Sequence, residues 1–389
     1  MKKEIVILGA GKIGRGSVAL FFTEAGWKVD LYGHSMAKMR QLEEQGYYET
    51  MNEDGVRTRV EGFEILDCTT DEALVERLTQ VNVCAVAAYA GAFPSMAASV
   101  GKAIQRRAEM GNDEPLNVML CVNDVNCHLV FDEGIRAQCD ERGLACYEKN
   151  VGLCYVMVMS LGSNPPEGEN PWLVLTSTNP LITVDADPWK GERPEVPHVA
   201  WTTNGLGQIY RKVFTGNMSH ALRAYVGHAK GTAFMDEGIL DNEWSNWLNY
   251  AAFEEALFAI ENEFEFDPEE LEEYRQHQKE PSKPSHDPFT RIGNTPARKL
   301  SYNERFIWPA RKCMEHGKLP YFLATGAAYG LMWYCDLEGE QRPTNKDEVA
   351  ALVERICGLT EPGNDAFLRD LIVCSYLRIP EAGLIPADK

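Results

Sequence analysis

Short apolar runs alternate with helix-like segments through the first half of the chain. Residues 4–8 form an apolar run, residues 17–26 repeat apolar positions with helical spacing, and residues 27–33 form a second apolar run. This order predicts a β-α-β unit of about 30 residues. Further runs with strand character follow, separated by helical segments: 81–90, 116–123 and 172–178. The alternation predicts a parallel sheet covered by helices on both faces.

The pattern changes near residues 185–199, where three prolines and a cluster of charges indicate a linker or a domain edge. Segments with helical periodicity dominate the rest of the chain: 245–266, 267–280, 346–359 and 364–379. A polar, proline-rich loop is predicted at 279–293. The longest apolar stretch, 319–335, is shorter than the about 20 apolar residues of a membrane span and predicts a buried helix. We therefore predict two domains, a sheet domain over 1–190 and a mostly α-helical domain over 191–389.

The acidic composition limits the choice of partners. The chain carries 58 Asp and Glu against 38 Lys and Arg, which gives a net charge of −20. Such a surface repels nucleic acid and anionic membranes, so we expect neither as a partner. Eleven cysteines without a C-x-x-C pair favour reduced thiols in a cytoplasmic protein over disulfides or a metal site. The N-terminus becomes glycine-rich too early for a signal peptide.

The stretch "GAGKIGRG", residues 9–16, lies between the first predicted strand and the first predicted helix. Gly9 can form the tight turn, Gly11 lets a phosphate approach the backbone, and Gly14 lets the helix pack against the strand. The N–H groups at the helix start would bind the pyrophosphate of a dinucleotide. The pattern predicts a Rossmann-type, doubly wound sheet, and a purely structural glycine turn is the alternative. The other residues predicted to line the cofactor in this turn are Ala10, Lys12 and Ile13.

The sequence leaves the choice between NAD and NADP open. An NAD site places an acid about 20 residues after the glycines, at the end of the second strand. Asp30 has this spacing but falls within the predicted strand, whose end carries Gly33 instead. Ser35 and Lys38 could bind a 2′-phosphate, or they could be a helix cap and a solvated lysine.

A second motif, "RKVFTGNMSHALRAYVG" at residues 211–227, places Lys212, Asn217 and His220 in a K-x4-N-x2-H spacing. Asn217 and His220 are three residues apart and would share one face of a helix. A lysine next to an arginine is often only solvated, and a lone histidine is often structural. The joint spacing beside a dinucleotide turn favours a functional interpretation.

Three stretches together resemble the mannitol dehydrogenase family, the polyol-specific long-chain dehydrogenases. They are residues 9–16, 211–227 and 291–309, in the order and spacing of the branch that acts on mannitol 1-phosphate. The resemblance extends to about residue 335. It implies a Rossmann domain, a mostly helical second domain, and zinc-independent interconversion of a sugar alcohol and its ketose with NAD or NADP.

The resemblance also implies roles for four residues. Lys212 would be the general base, Asn217 and Asn123 would hold the alkoxide or carbonyl oxygen, and His220 would orient the substrate. A lysine has an ordinary pKa of about 10.4, whereas a useful base needs about 7 to 8. Burial and a cationic nicotinamide ring would both lower the pKa of Lys212.

A basic cluster interrupts the acidic chain at Arg291, Arg298, Lys299 and Arg305. Arginine forks suit phosphate oxygens, so we predict that Arg298, Lys299 and Arg305 bind a substrate phosphate, as in mannitol 1-phosphate or fructose 6-phosphate. A surface patch of ion pairs is the alternative.

The chain departs from the family pattern at three places. Met159 and Ser160 replace Asp-Arg near the end of a central strand, Val122 replaces an acid before Asn123, and Gly33 replaces the acid of strand two. A hexuronate reductase of the same family and a catalytically silent dinucleotide-binding regulator are therefore the alternative functions. We expect a monomer or a small homo-oligomer.

Overall fold

The computed structural model describes residues 2–160, 162–165, 167–236, 243–279 and 287–381. The chain divides into two compact units, Met1–Ile209 and Tyr210–Lys389. The division lies later than the predicted one at residue 190. The reason is that the proline-rich segment joins two strands of the first unit instead of linking two domains.

The first unit contains two sheets. Its strands, in chain order, are β1 Glu4–Leu8, β2 Lys28–Tyr32, β3 Tyr47–Met51, β4 Arg57–Glu61, β5 Glu64–Ile65, β6 Val83–Val86, β7 Leu116–Leu120, β8 Val151–Met159, β9 Val174–Leu175, β10 Leu181–Asp185 and β11 Val199–Thr202. The main sheet has the order β11-β10-β8-β7-β6-β1-β2-β5, and only β10 and β8 pair antiparallel. The smaller sheet has the order β4-β3-β9.

Helices lie between the strands of this unit, and the last helix follows β11 and ends in the second unit. They are a π-helical turn Gly14–Ala19, α1 Leu20–Glu24, α2 Met36–Gln45, α3 Glu72–Leu78, a 3₁₀ turn Ala90–Ala92, α4 Phe93–Met110, α5 Cys127–Arg136, α6 Glu141–Asn150 and α7 Gly205–Arg211. Ile5 and Ile7 pack in one core cluster with residues of α1 and α2, and Val6 and Leu8, on the opposite face of β1, are also fully buried. Because successive side chains of a strand point to opposite faces, both faces of the sheet are covered. This confirms the Rossmann-type sheet domain.

Two sequence-based predictions need correction in this unit. The apolar run 172–178 contributes only the two-residue strand β9, which pairs with β3 in the smaller sheet. The segment 185–199 connects β10 to β11, which pair in parallel in the main sheet. Prolines keep this segment from forming a strand, yet Trp189 and Val196 are buried in the core.

The second unit is helical over its described residues. A π-helical turn Lys212–Asn217 is followed by α8 Met218–Ala229, α9 Glu243–Glu263, α10 Pro268–Lys279, α11 Phe289–Ile292, α12 Pro296–Lys299, α13 Ile307–Glu315, α14 Tyr321–Glu338, α15 Lys346–Cys357 and α16 Asn364–Glu381. These bounds confirm the four helical segments expected in this half. Residues 280–286 of the predicted loop at 279–293 lie outside the described residues, and the described part departs from the prediction because Phe289–Ile292 forms helix α11.

The apolar helix α14 forms the centre of the second unit and packs against α8, α9 and α16. A Cβ at Gly326 would lie 2.9 Å from the ring of Phe306, so only glycine permits this packing. The predicted buried helix is therefore confirmed. No helix in the described part of the chain has the length and apolarity needed to cross a membrane.

Candidate active site

The glycine turn after β1 has the shape that a dinucleotide requires. Gly9 has a φ of +110°, and a Cβ there would lie 2.3 Å from the carbonyl oxygen of Ala87. A Cβ at Gly14 would lie 2.0 Å from the carbonyl oxygen of Gly9. Nothing lies within 4 Å of the Cβ position at Gly11, which leaves that backbone open to a ligand. The turn thus fits a pyrophosphate approaching at Gly11 and packs tightly on either side of it.

The second strand supplies no acid for a ribose. Asp30 is fully buried in β2, and its Oδ2 accepts a hydrogen bond from Nε of Arg77 at 2.6 Å. Met39 fills the space beside Gly33, because a Cβ there would lie 2.4 Å from its sulfur. Ser35 is the N-terminal cap residue of α2 without a side-chain cap bond, and Lys38 is exposed.

Asn123 lies at the same edge of the main sheet as the glycine turn. It is exposed in the loop that follows β7, and the glycine turn follows β1, a strand that runs in the same direction. This is the edge at which open α/β sheets bind ligands. At the end of β8 on this edge, Met159 is 50% exposed and stands where the family pattern has an acid.

The predicted lysine, asparagine and histidine lie in one helical segment of the second unit. Lys212 begins the π-helical turn, Asn217 ends it, and His220 lies in the first turn of α8. π-Helical turns are rare and often occur at functional sites. The structure thus groups these three residues locally.

Side chains from α10 hold this turn. Thr215 Oγ1 donates to the carbonyl oxygen of Arg211 at 2.6 Å and lies 2.8 Å from the Tyr274 hydroxyl. The buried guanidinium of Arg211 forms an ion pair with Glu270 at 2.8 Å and lies over the Tyr274 ring, 4.4 Å from its centroid. The motif does not predict these contacts, because nothing in it indicates which later helix packs against it.

The local environment lowers the pKa of both Lys212 and His220. Burial lowers the pKa of the Lys212 amine to about 8. The His220 ring is accessible to solvent, yet the surrounding protein atoms and then the charge of Arg223 lower the pKa of its imidazole. A neutral histidine is therefore favoured at neutral pH.

The four residues of the predicted basic cluster have different environments. Arg291 donates to Asp287 at 2.7 Å, and the exposed Arg298 donates to Glu304 at 2.6 Å. Lys299 is buried and its amine donates to the carbonyl of Ile292 and, at 3.0 Å, to Asn294. Burial and then the charge of Arg305 lower the pKa of Lys299 to about 7.

Arg305 differs from these three. Only 7% of it is exposed, and its Nε has no hydrogen-bond partner among the residues that the structure describes. A further buried guanidinium nitrogen without a hydrogen bond belongs to Arg223, on α8. The sequence analysis missed Arg223, although it follows His220 at the same three-residue spacing that links Asn217 to His220.

Comparisons with known proteins agree with this architecture. A mannitol dehydrogenase Rossmann domain matches residues 3–197, and a mannitol dehydrogenase C-terminal domain matches residues 208–357. The mannitol-1-phosphate 5-dehydrogenase of Halalkalibacterium halodurans is 25% identical over 90% of this chain and 94% of the relative. That of an Arthrobacter species is 27% identical over 93% of this chain and 95% of the relative.

Two solved structures share the fold across almost the whole chain. Mannitol 2-dehydrogenase of Pseudomonas fluorescens, in a ternary complex with NAD and D-mannitol, has a TM-score of 0.73 at 14% identity and covers 99% of this chain and 93% of its own. A substrate-free D-sorbitol dehydrogenase has a TM-score of 0.73 at 16% identity and covers 99% of this chain and 95% of its own. Since the two family domains together match most of its length, the chain belongs to the mannitol dehydrogenase family.

Proposed function

We propose that this polyol dehydrogenase interconverts a hexitol phosphate, such as mannitol 1-phosphate, and its ketose, fructose 6-phosphate, with Lys212 as the general base. The family assignment supports a dehydrogenase that uses NAD or NADP. The observation that carries the proposal is the lysine in the π-helical turn, with its pKa lowered to about 8 and with Asn217 and His220 in the same segment. No metal ion is part of the proposed reaction.

Each residue has a separate task in the proposed reaction. Hydride exchange with the carbinol carbon would be supplied by a nicotinamide cofactor bound at the glycine turn. The neutral amine of Lys212 takes the hydroxyl proton during oxidation and returns it during reduction. The amide N–H groups of Asn217 and Asn123 donate to the substrate oxygen as negative charge develops on it, and His220 orients the hydroxyl.

The cofactor would be held by the turn that contains Gly9, Gly11 and Gly14. Its backbone is open at Gly11, and Ala10, Lys12 and Ile13 complete the loop around it. Ser35, the N-terminal cap residue of α2, and Lys38, in the first turn of α2, follow β2 and would lie near a ribose or a 2′-phosphate.

Two observations support a phosphorylated substrate. Both mannitol-1-phosphate 5-dehydrogenases named above match at least 90% of this chain. Near His220 the second unit also concentrates arginines in a protein with a net charge of −20. The same cations could bind a carboxylate, which keeps a ketouronate as the second candidate substrate.

Absorbance at 340 nm separates these functions. NADH and NADPH are each assayed with fructose 6-phosphate, fructose and fructuronate. We expect turnover with fructose 6-phosphate that falls at least a hundredfold in Lys212→Ala, since general bases contribute about 10²- to 10⁴-fold. Turnover with fructuronate alone would favour the reductase, and cofactor binding without turnover of any of the three would favour the regulator. Unchanged turnover in Lys212→Ala would remove the base from the mechanism.

A further inference from the structure

Arg223 lies on the same helix face as His220. The two residues are three positions apart on α8, a spacing that brings side chains together. Nε of Arg223 is buried and has no hydrogen-bond partner in the described part of the chain. Within the described ranges no carboxylate forms an ion pair with it, whereas Arg291 and Arg298 are both paired.

Arg305 brings a second guanidinium to the same histidine. The charge of Arg305, like that of Arg223, lowers the pKa of the His220 imidazole, and Arg305 lies outside α8, between α12 and α13. The nearest carboxylate oxygen to Arg305 Nε, that of Glu304, lies 3.8 Å away, and Glu304 is already bonded to Arg298. Glu304 therefore lies too far from Nε of Arg305 to hydrogen-bond to it.

Burying a guanidinium without a partner costs free energy, because the lost hydration is not replaced. Near Arg305, Lys299 adds a further basic group. A bound oxyanion would supply the missing hydrogen bonds and the missing negative charge at once. Guanidinium forks match the oxygen spacing of phosphate and carboxylate groups.

We propose that Arg223 and Arg305 form the subsite that binds the anionic group of the substrate beside His220. The inference rests on the proposed function and refines its phosphate contacts. It assigns Lys299 and Arg298 to structural roles, since the first is bonded to the backbone of the turn before α12 and the second to Glu304.

Isothermal titration of the full chain tests the subsite without turnover. In the presence of saturating NAD⁺, which cannot reduce a ketose, the ligands are fructose 6-phosphate, inorganic phosphate and fructuronate. We expect Arg223→Gln to raise the Kd of fructose 6-phosphate about 10- to 100-fold, the range for a hydrogen bond to a charged group. Arg355→Gln is the matched control, because Arg355 is an exposed arginine paired with Glu340, and it should bind like the wild type.

Steady-state kinetics supply the second measurement. Because Arg223 would bind the non-reacting end of the substrate, Arg223→Gln should raise KM for fructose 6-phosphate about as much as Kd and change kcat much less. Arg223→Lys keeps the charge but loses the fork, so we expect an intermediate Kd. If the thermal transition shows that Arg223→Gln does not fold, the Kd of fructose 6-phosphate for Arg223→Lys alone tests the subsite.

The outcomes separate this inference from the proposed function. Binding of fructuronate but not fructose 6-phosphate, with loss in Arg223→Gln, would support the subsite and refute the hexitol phosphate. Wild-type affinity of Arg223→Gln and Arg223→Lys for every anion tested would overturn the subsite. A wild-type protein that binds none of the three anions would overturn it as well.

Discussion

At the scale of single residues, the buried amine of Lys212 links structure to chemistry most directly. An amine with a pKa of about 8 is charged below that pH and neutral above it. Oxidation needs the neutral form, so we expect kcat/KM for polyol oxidation to rise about tenfold per pH unit up to about pH 8 and then level off. Ketose reduction needs the ammonium form and should fall above the same pH.

The variants Lys212→Ala and Lys346→Ala test this pH dependence. Lys346 is exposed at the start of α15, so its replacement should leave both profiles as in the wild type. Lys212→Ala should lower the plateau of kcat/KM for polyol oxidation and abolish the increase of kcat/KM with pH. A rise that survives in Lys212→Ala would assign the titration to another group.

The exposed Lys38 provides a prediction about cofactor choice. If a 2′-phosphate lies at the end of β2, Lys38→Ala should raise the Kd of NADPH about fivefold, the value of one partly screened ion pair. The Kd of NADH should not change, since NADH lacks that phosphate. Fluorescence titration of both cofactors measures the difference, with Lys102→Ala on α4 as the control.

Equal affinity losses for the two cofactors would mean that Lys38 acts on the part they share. No loss for either would identify Lys38 as a solvated lysine. Both results contradict the 2′-phosphate contact.

Single residues also show what the sequence could not reveal. The glycine turn and the K-x4-N-x2-H spacing are local, so the residues could be recognised from the chain alone. The ion pair of Asp30 with Arg77 spans 47 positions, and the backbone contact that engages Lys299 depends on how α12 begins. Partner choice of this kind depends on tertiary packing, which periodicity does not encode.

At the scale of elements, helix α10 acts as a brace for the π-helical turn. The Tyr274 hydroxyl and the Arg211–Glu270 ion pair fix that turn from one side. Helix bounds in this half were predictable because apolar positions repeat with helical spacing. The π-helical register was not, since an extra residue in one turn leaves almost no trace in the apolar pattern.

Removing the Tyr274 hydroxyl tests the brace. Tyr274→Phe should lower the free energy of unfolding by about 1 kcal/mol, the usual value of one hydrogen bond. We also expect kcat to fall several-fold with little change in KM, because the affected Thr215 lies within the turn that begins at Lys212. Urea unfolding and steady-state kinetics measure the two effects.

Tyr321→Phe is the comparison variant, since Tyr321 is 49% exposed at the start of α14. It should match the wild type in both measurements. A Tyr274→Phe protein with wild-type stability and kcat would show that α10 does not brace the turn.

At the scale of the whole molecule, charge is distributed unevenly. The chain has a net charge of −20, yet the charges of three arginines, Arg223, Arg291 and Arg305, all lower the pKa of one histidine, His220, in the second unit. The sequence revealed the acidic total and the basic stretch near residue 300. The sequence did not reveal that Arg223 belongs with these basic residues, because Arg223 lies on α8, about 80 positions before Arg305.

The stability of the molecule depends on one buried carboxylate as well. Glu255 on α9 is 4% exposed and accepts hydrogen bonds from the backbone N–H groups of Phe322 and Leu323, at 3.0 and 2.8 Å. These are N–H groups that the first turn of α14 leaves without helical partners. Burial still raises the pKa of Glu255 to about 7, from an ordinary value of 4.5.

The raised pKa of Glu255 determines whether the free energy of unfolding increases or decreases with pH. Between pH 4.5 and about 7 the folded chain keeps a proton on Glu255 that the unfolded chain has lost, so stability decreases as pH rises through that window. The contribution of this one group is on the order of 3 kcal/mol.

Glu255→Gln cannot titrate, and its amide oxygen can still accept from Leu323, so its unfolding free energy should fall less between pH 5 and pH 8 than that of the wild type. Urea unfolding at both pH values measures the difference. Glu361→Gln, at an exposed position, should behave as the wild type. If the unfolding free energy changes with pH equally in all three proteins, Glu255 titrates normally.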